Sequence, residues 1–211
     1  MPKKIGVICA MQRELDLLDG SVPNLVCALS GIGKVNAAVA AESMITGEKP
    51  DCIISLGVAG TFVEGINEGD FIIASKTAYH DVWCGEGNAP GQVQGLPLFY
   101  ESSPELLKAA EDAIKTAKVG LICSGDQFYI SREEDGRQKK MFPEALAIDM
   151  EAAAIAQVCH LHDVPFLAVK IISDNHLHPS QTERYDSFWN TLAERSFRAA
   201  KDILTKITET L

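Results

Sequence analysis

Carboxylates stand beside the ends of apolar runs at several points along the chain. Asp149 and Glu151 interrupt the alanine-rich stretch "AIDMEAAAIA" (147–156), Glu14 follows the first apolar run, and Asp174 ends another. Acidic residues in such places can simply accept hydrogen bonds at a helix N-terminus. Brought together in one pocket, however, carboxyl groups perform acid–base chemistry, with one protonated and another ionised. The strands and helices that carry these carboxylates decide between the two interpretations.

Short apolar runs alternate with longer helical patterns. We predict strands over 4–10, 25–30, 51–57, 70–80, 118–125, 145–149 and 165–173, and helices over 12–19, 34–46, 104–117, 132–141, 150–162 and 187–206. Near-continuous apolar strands alternating with helices indicate an α/β fold with a mainly parallel sheet covered on both faces. The Gly/Pro-rich segment 81–99 lacks periodicity and is predicted to be a long loop. No linker divides the chain, so we expect a single domain over 1–211.

The residues that follow the predicted strands form an unusual set. In α/β sheets, ligands bind beyond the carboxyl ends of the strands. At those positions stand two glycine-rich segments, "SGIGK" (30–34) and "GVAGT" (57–61), the segment "SGDQFYI" (124–130), and single residues with polar or sulfur-bearing side chains: Met11, Glu14, Met150, Glu151, Ser173 and Asp174. The sequence therefore predicts one site at this edge of the sheet.

Composition excludes several classes of partner. The formal net charge of −10 argues against nucleic acid, which needs a basic surface. No apolar run reaches the ~18 residues of a membrane span, and Gln12, Arg13 and Glu14 follow too early for a signal peptide, so we expect no membrane contact and a cytoplasmic location. The six cysteines form no CxxC pair or zinc spacing, which predicts reduced, mostly buried thiols and no metal or other cofactor.

Several local motifs have plain structural interpretations. "SGIGKVNA" (30–37) does not match a phosphate loop and is predicted to be a tight turn that lets the backbone approach a small ligand. "GVAG" (57–60) is predicted to be a turn. His176 and His178 alternate as metal ligands can, but no third ligand is visible, so solvated loop histidines are expected. Lys170, inside an apolar strand, is expected to be a paired structural charge.

The motifs together resemble a known family. "IGVICAMQREL", "SGIGKVNAA", "SLGVAGT", "YHDV", "SGDQF", "AIDMEAAAIAQVC" and "VPFLAVKIISD" occur in the order found in nucleoside phosphorylase-like proteins, and most closely resemble the methylthioadenosine/S-adenosylhomocysteine nucleosidases. The resemblance covers nearly the whole chain. It implies a three-layer α/β/α sandwich around a mixed, partly closed sheet, and a homodimer.

The resemblance also implies catalytic roles. Asp174 matches the acid that protonates the purine at N7, and Glu14 matches the carboxylate that activates water. Glu151 matches the residue that binds the ribose hydroxyls, while Asp149 is expected to cap the helix that follows. The chemistry is coherent, because adenine leaves poorly until it gains a proton and the ribosyl group left behind is oxocarbenium-like. The implied reaction is hydrolysis of the N-glycosidic bond of a 5′-modified adenine nucleoside.

The implied substrate contacts come from several segments. Phe128 is expected to stack on the purine, the backbone of Tyr129 to read the base edge, Ser173 to support Asp174, and Met150 to pack on the sugar. The remaining positions assigned to substrate binding are Met11, Ile32, Val58, Gly60 and Tyr185, the last in the pocket for the 5′ substituent. The expected partners are therefore a purine nucleoside and water.

The chain departs from the family pattern in three places. Only 19–29 spans the gap that usually holds a β-hairpin, so a smaller sheet is expected. Val58 replaces a serine that is usual in the nucleosidases; the same position helps hold phosphate in the related phosphorylases, so valine disfavours phosphorolysis. The loop 81–99, which normally supplies apolar residues to the 5′ pocket, here offers Trp83.

Three alternatives to this function stay open from the sequence. One is a purine nucleoside phosphorylase of the same fold. Another is a hydrolase for a different 5′-modified nucleoside, such as a menaquinone-pathway intermediate. The third is a nucleoside-binding protein without turnover, although retention of both Glu14 and Asp174 argues against it, because binding alone needs neither a water base nor a purine acid.

Overall fold

A computed structural model describes residues 3–18, 20, 22–128, 139–177 and 180–211. Within these ranges the strands are β1 Ile5–Cys9, β2 Leu25–Leu29, β3 Cys52–Thr61, β4 Phe71–Tyr79, β5 Tyr100–Glu101, β6 Lys118–Ser124, β7 Ala145–Asp149 and β8 Phe166–Asn175. The helices are α1 Gln12–Asp16, α2 Lys34–Glu48, α3 Pro104–Ala113, α4 Ala152–Leu161, α5 Gln181–Thr191 and α6 Ala193–Thr210. No helix in the described ranges is long and apolar enough to cross a membrane.

Five strands close into a ring. β3 runs parallel to β8, β8 antiparallel to β4, β4 parallel to β6, and β6 parallel to β7. β7 returns to β3 through one antiparallel pair, Gly60 with Ile148. β1 and β2 extend the sheet from β3 as parallel strands, and β5 pairs with β4. The sheet is therefore mixed and partly closed, as the family resemblance implied.

Helices cover both faces of the sheet. Successive strand residues point to opposite faces: Ile53 packs in the cluster that contains α2 and α4, and Ile54 packs in the cluster that contains α3, α5 and α6. α6 buries Phe197, Ala200 and Leu204 at helical spacing against that second cluster. The three-layer α/β/α arrangement is confirmed.

Two strands run further than the sequence predicted. β3 continues through Gly57–Gly60, which was expected to be a turn, and β8 includes Asp174 and Asn175, beyond the end predicted at residue 173. The two extensions pair with each other, with a register shift between Ala59 and Gly60. The prediction of a turn was wrong because this pairing between distant strands outweighs the local preference of glycine for turns.

Other boundaries also differ from the prediction. The helix expected over 187–206 is two helices that meet at Leu192, because α5 packs on β8 whereas α6 packs on α3. The two-residue strand β5 was not predicted, and α3 ends at Ala113 rather than residue 117. The segment 81–99 contains neither helix nor strand, as expected. Most of the helix predicted over 132–141 lies outside the described residues.

A buried cation ties three strands together inside the ring. Lys170 on β8 is 2% exposed, and its Nζ lies 2.9 Å from Oδ2 of Asp149 on β7. Asp149 also accepts hydrogen bonds from the hydroxyl of Ser124 on β6 and from the backbone N–H of Ala152. The same hydroxyl accepts from the N–H of Ala153 at 2.8 Å. The expected roles of Lys170 as a paired charge and of Asp149 at the start of α4 are both confirmed.

The acidic surroundings keep Lys170 charged. Burial alone would lower the pKa of its amine, but Asp149, Glu151 and Glu14 act in the opposite direction and leave the pKa above its usual range. The charged amine in turn opposes the rise in the pKa of Glu14 and of Glu151. One cation therefore stabilises a cluster of buried acids.

Removal of this cation should destabilise the protein strongly. In Lys170→Met, Asp149 is left buried without its ionic partner, and we expect the free energy of unfolding at pH 7 to fall by about 3 to 5 kcal/mol in urea titration. Lys108→Met is the control, because Lys108 forms an exposed helical pair with Asp112 and should cost about 0.5 kcal/mol or less. If Lys170→Met had the same free energy of unfolding as Lys108→Met, the buried Lys170–Asp149 pair would not hold the ring together.

Candidate active site

A concave cavity opens beside the extended ends of β3 and β8. It is lined by eleven of the twelve residues assigned to the site from sequence: Met11, Glu14, Ile32, Val58, Gly60, Phe128, Met150, Glu151, Ser173, Asp174 and Tyr185. The twelfth, Tyr129, lies outside the described residues. The carboxylates of the sequence prediction therefore do converge on one site.

Glu14 is anchored by the backbone of two strand ends. It is 1% exposed; its Oε2 accepts from the N–H groups of Ala10 and Met11 at 3.0 and 2.9 Å, and its Oε1 accepts from the N–H of Val58 at 2.9 Å. A Cβ on Gly57 would lie 2.7 Å from Oε1, so only glycine leaves room for the carboxylate. Burial raises the pKa of Glu14 although Lys170 and these N–H groups oppose the shift. The result is a fixed, unusually basic carboxylate.

Asp174 is held on both of its oxygens. Oδ1 accepts from the Ser173 hydroxyl at 2.6 Å, and Oδ2 accepts from Nε2 of Gln181 at 2.7 Å. Nε2 of His176 lies 3.4 Å from the same Oδ2. A Cβ on Gly60 would lie 2.6 Å from His176 Nε2, so glycine is needed on β3, opposite the bulge of β8 at Ser173, to admit this group. The expected support of Asp174 by Ser173 is present as a direct hydrogen bond.

Glu151 reaches across the cavity to the "SGIGK" turn. Its Oε1 accepts from the N–H of Gly33 at 2.9 Å. Gly33 has a φ of 97°, which side chains other than glycine rarely tolerate. Burial, and then the charge of Asp149, raise the pKa of Glu151 to about 7. The turn predicted to let the backbone approach a ligand therefore also positions an acid.

Aromatic rings form the outer wall of the cavity. The ring of Phe128 meets that of Tyr185 edge to face, with 6.1 Å between centroids, and Phe128 is 54% exposed. An aromatic ring that is open to solvent on one side can stack on a planar ligand. Both aromatic residues line the cavity.

An ion pair that the sequence did not reveal holds the loops around Phe128. Lys34, at the start of α2, places its Nζ 2.7 Å from an oxygen of Asp81. Asp81 also accepts from the N–H of Asp126 at 2.9 Å, and Asp126 accepts from the N–H of Lys34 at 2.7 Å. Three loops are thus locked to one another next to the cavity. Lys34, Asp81 and Asp126 can be read from the sequence, but only the fold shows that they lie together.

The cavity also has lining residues that the sequence prediction missed: Ala10, Ala59, Gln127, Ile148, Asp149 and His176. The interpretation of His176 as a solvated loop histidine was wrong, because it is 8% exposed and faces Asp174. The error follows from the end of β8, which runs two residues further than predicted and carries His176 into the site. His178 lies outside the described residues. Within the described part of the chain, no cluster of His, Cys, Asp and Glu could hold a metal ion.

Comparison with known proteins places this geometry in a family. The model of the phosphorylase superfamily matches residues 4–205. The chain is 39% identical to the 5′-methylthioadenosine/S-adenosylhomocysteine nucleosidase of Staphylococcus aureus strain MRSA252, over 81% of this chain and 86% of that protein.

Solved structures show the same likeness. The crystal structure of the 5′-methylthioadenosine/S-adenosylhomocysteine nucleosidase of Neisseria meningitidis, in complex with methylthio-immucillin-A, superposes with a TM-score of 0.88 at 38% identity, over 96% of this chain and 99% of that chain. Futalosine hydrolase of Helicobacter pylori gives the same TM-score at 27% identity, over 97% of this chain and 98% of that one. The chain therefore belongs to the phosphorylase superfamily and, within it, to the family of 5′-methylthioadenosine/S-adenosylhomocysteine nucleosidases.

Proposed function

We propose that this protein hydrolyses the N-glycosidic bond of a 5′-substituted adenine nucleoside of the methylthioadenosine or S-adenosylhomocysteine type, releasing adenine and the substituted ribose. The observation that carries the proposal is a single cavity lined by four buried carboxyl groups. Asp149 is paired with Lys170, and the other three, Glu14, Glu151 and Asp174, lie in three different environments. The names of the related nucleosidases agree with this reaction. Each of these three carboxyl groups takes a separate task.

Asp174 protonates the leaving purine at N7. Adenine is a poor leaving group as an anion, so the transition state needs an acid on the base. The hydrogen bonds from Ser173 and Gln181 support this role, because they fix both oxygens of the carboxyl group at the wall of the cavity. Phe128 stacks on the purine beside it, and the backbone of Tyr129 reads the base edge.

Glu14 activates the attacking water. Its raised pKa supports this role, since a carboxylate with a higher proton affinity is a better general base at neutral pH. Its two oxygens accept hydrogen bonds from three backbone N–H groups, which hold the carboxylate in one orientation. A base fixed in this way loses no orientational entropy during the reaction.

Glu151 binds the ribose hydroxyls. One of its oxygens accepts from Gly33, and the carboxyl group faces the cavity next to Met150, which packs on the sugar. A carboxylate near the ribose also favours the positive charge that develops on the sugar ring. The other contacts are Ile32, Val58 and Gly60 beside the sugar, and Met11 and Tyr185 towards the 5′ substituent.

The surroundings of Glu14 favour hydrolysis over phosphorolysis. The backbone N–H groups of Ala10, Met11 and Val58 would be natural donors to a phosphate, but the carboxylate of Glu14 already occupies all three. The side chain of Val58 offers no donor of its own. A phosphate here would meet a buried anion that already holds these three donors, whereas a neutral water is accepted readily.

The protein acts as a homodimer in this proposal. Ile32, Val35 and Val39 form an apolar face at the start of α2 and are 53%, 74% and 62% exposed. The Lys34–Asp81 pair brings the loop with Trp83, 68% exposed, to the same end of the helix. Exposed apolar side chains grouped in this way are typical of an interface. Since Ile32 also lines the cavity, the interface borders the site.

We also assign the protein to the cytoplasm. None of the six cysteines is in a disulfide, although Cys27 and Cys84 are exposed. Exposed thiols without partners fit a reducing compartment.

Adenine release from methylthioadenosine tests the function directly. Purified protein should release adenine at the same rate with and without phosphate in the buffer, and the sugar product should be methylthioribose without a phosphate group. Release that depends on phosphate would show a phosphorylase instead. Nucleoside binding without release in either buffer would show a binding protein.

The dimer is tested by mass in solution. Sedimentation should give twice the 22.8 kDa mass of the chain, and Val39→Asp should shift the protein towards the monomer because it buries a charge in the interface. The matched control is Val119→Asp, an exposed valine on β6 away from α2, which should leave the mass unchanged. A monomeric wild-type protein would contradict the proposal.

A further inference from the structure

Arg13 sits at the rim of the cavity in an unusual environment. Its Nη2 lies 3.5 Å from the sulfur of Met11 and hydrogen-bonds to the hydroxyl of Tyr185. Both of these residues line the cavity. The guanidinium carbon also lies 3.8 Å from the ring centroid of Trp189 and 5.1 Å from that of Tyr185. The arginine is thus stacked on aromatic rings immediately outside the substrate site.

No carboxylate among the described residues forms an ion pair with Arg13. Arg184 and Arg198 do have such partners, Glu68 at 2.8 Å and Glu194 at 3.0 Å, whereas Arg195 in the same ranges forms no ion pair either. Aromatic stacking, rather than an acid, holds the guanidinium of Arg13 in place.

The orientation leaves donors for a ligand. An arginine carries five N–H donors in a planar fork, and the hydrogen bonds described for Arg13 involve only Nη2. Stacking fixes the plane of the group and costs little entropy when a second planar group binds at its edge. The natural partner for such a fork is a carboxylate, which it can bind through two parallel hydrogen bonds.

We propose that Arg13 forms an anion subsite that selects nucleosides whose 5′ substituent ends in a carboxylate. The inference rests on the proposed function, in which Met11 and Tyr185 face the 5′ substituent. A methylthio group ends within the cavity, whereas a longer chain passes these two residues and meets the guanidinium at the rim. Arg13 is therefore a specificity-determining residue that acts on binding, while the bond is broken further inside.

The competing interpretation is that Arg13 only supports Tyr185. In that case replacing Arg13 would lower kcat/KM for all substrates by the same factor, because Tyr185 faces the 5′ group whatever its length. The two interpretations separate when substrates that differ only in terminal charge are compared.

The test uses 5′-(3-carboxypropylthio)adenosine and its carboxamide, with methylthioadenosine as the short reference. In the wild-type protein, kcat/KM for the acid should exceed that for the carboxamide by about tenfold, mostly through KM, because a remote contact binds ground state and transition state alike. In Arg13→Gln this preference should fall to about one. The acid should lose about ten times more kcat/KM than methylthioadenosine loses. S-adenosylhomocysteine, which carries a carboxylate and an ammonium group, extends the test to an amino-acid chain.

Arg184→Gln is the matched control. It removes the same charge from the residue next to Tyr185, but Arg184 pairs with Glu68, so the preference for the acid should stay at the wild-type level. An equal loss for all substrates in Arg13→Gln, or no acid preference in the wild-type protein, would overturn the proposal. If the wild-type protein cleaves none of them, the proposed function fails; dissociation constants of the acid and the carboxamide, measured by calorimetry on both variants, then decide the subsite on its own.

Discussion

The structure depends on one buried charge, the ammonium group of Lys170. A strand cannot normally bury a lysine, and a cavity cannot normally bury Glu14, Asp149 and Glu151 together, because each charge loses its hydration. Placed side by side, they compensate one another: the acids raise the pKa of the lysine, and the lysine opposes the rise in the pKa of Glu14 and Glu151. The same charge interactions therefore stabilise both the site and the closed ring of strands.

Close backbone approach is the second constraint. The bulged pairing of β3 with β8 sets Gly60 against Asp174, while Gly57 lies against the carboxylate of Glu14. A methyl group at Gly57 would lie 2.7 Å from Oε1 of Glu14, and one at Gly60 would lie 2.6 Å from Nε2 of His176 and 3.3 Å from Oδ2 of Asp174. The same stretch of β3 therefore contacts both Asp174, the proposed purine acid, and Glu14, the proposed water base. These two carboxyl groups are thereby held at fixed positions on either side of the substrate.

Much of this could be predicted from the sequence. The alternation of apolar strands and helices predicted helices on both faces of a sheet. The carboxylates at the strand ends predicted the position of the site, because ligands bind at those ends. The extension of β3 through Gly57–Gly60 could not be predicted, since the glycines look like turn residues until their distant partners are known. The burial of His176 and the Lys34–Asp81 pair likewise depend on contacts between segments far apart in the chain.

The central claim is that the cavity divides its carboxyl groups between an acid for the base and a base for the water. The most direct measurement compares Asp174→Asn and Glu14→Gln on methylthioadenosine and on a 4-nitrophenyl 5-methylthioriboside, whose leaving group departs without a proton. We expect Asp174→Asn to lose about a hundredfold or more in adenine release but to release nitrophenolate at close to the wild-type rate, and Glu14→Gln to lose both. Equal losses on both substrates in Asp174→Asn, or retained turnover in Glu14→Gln, would contradict this division.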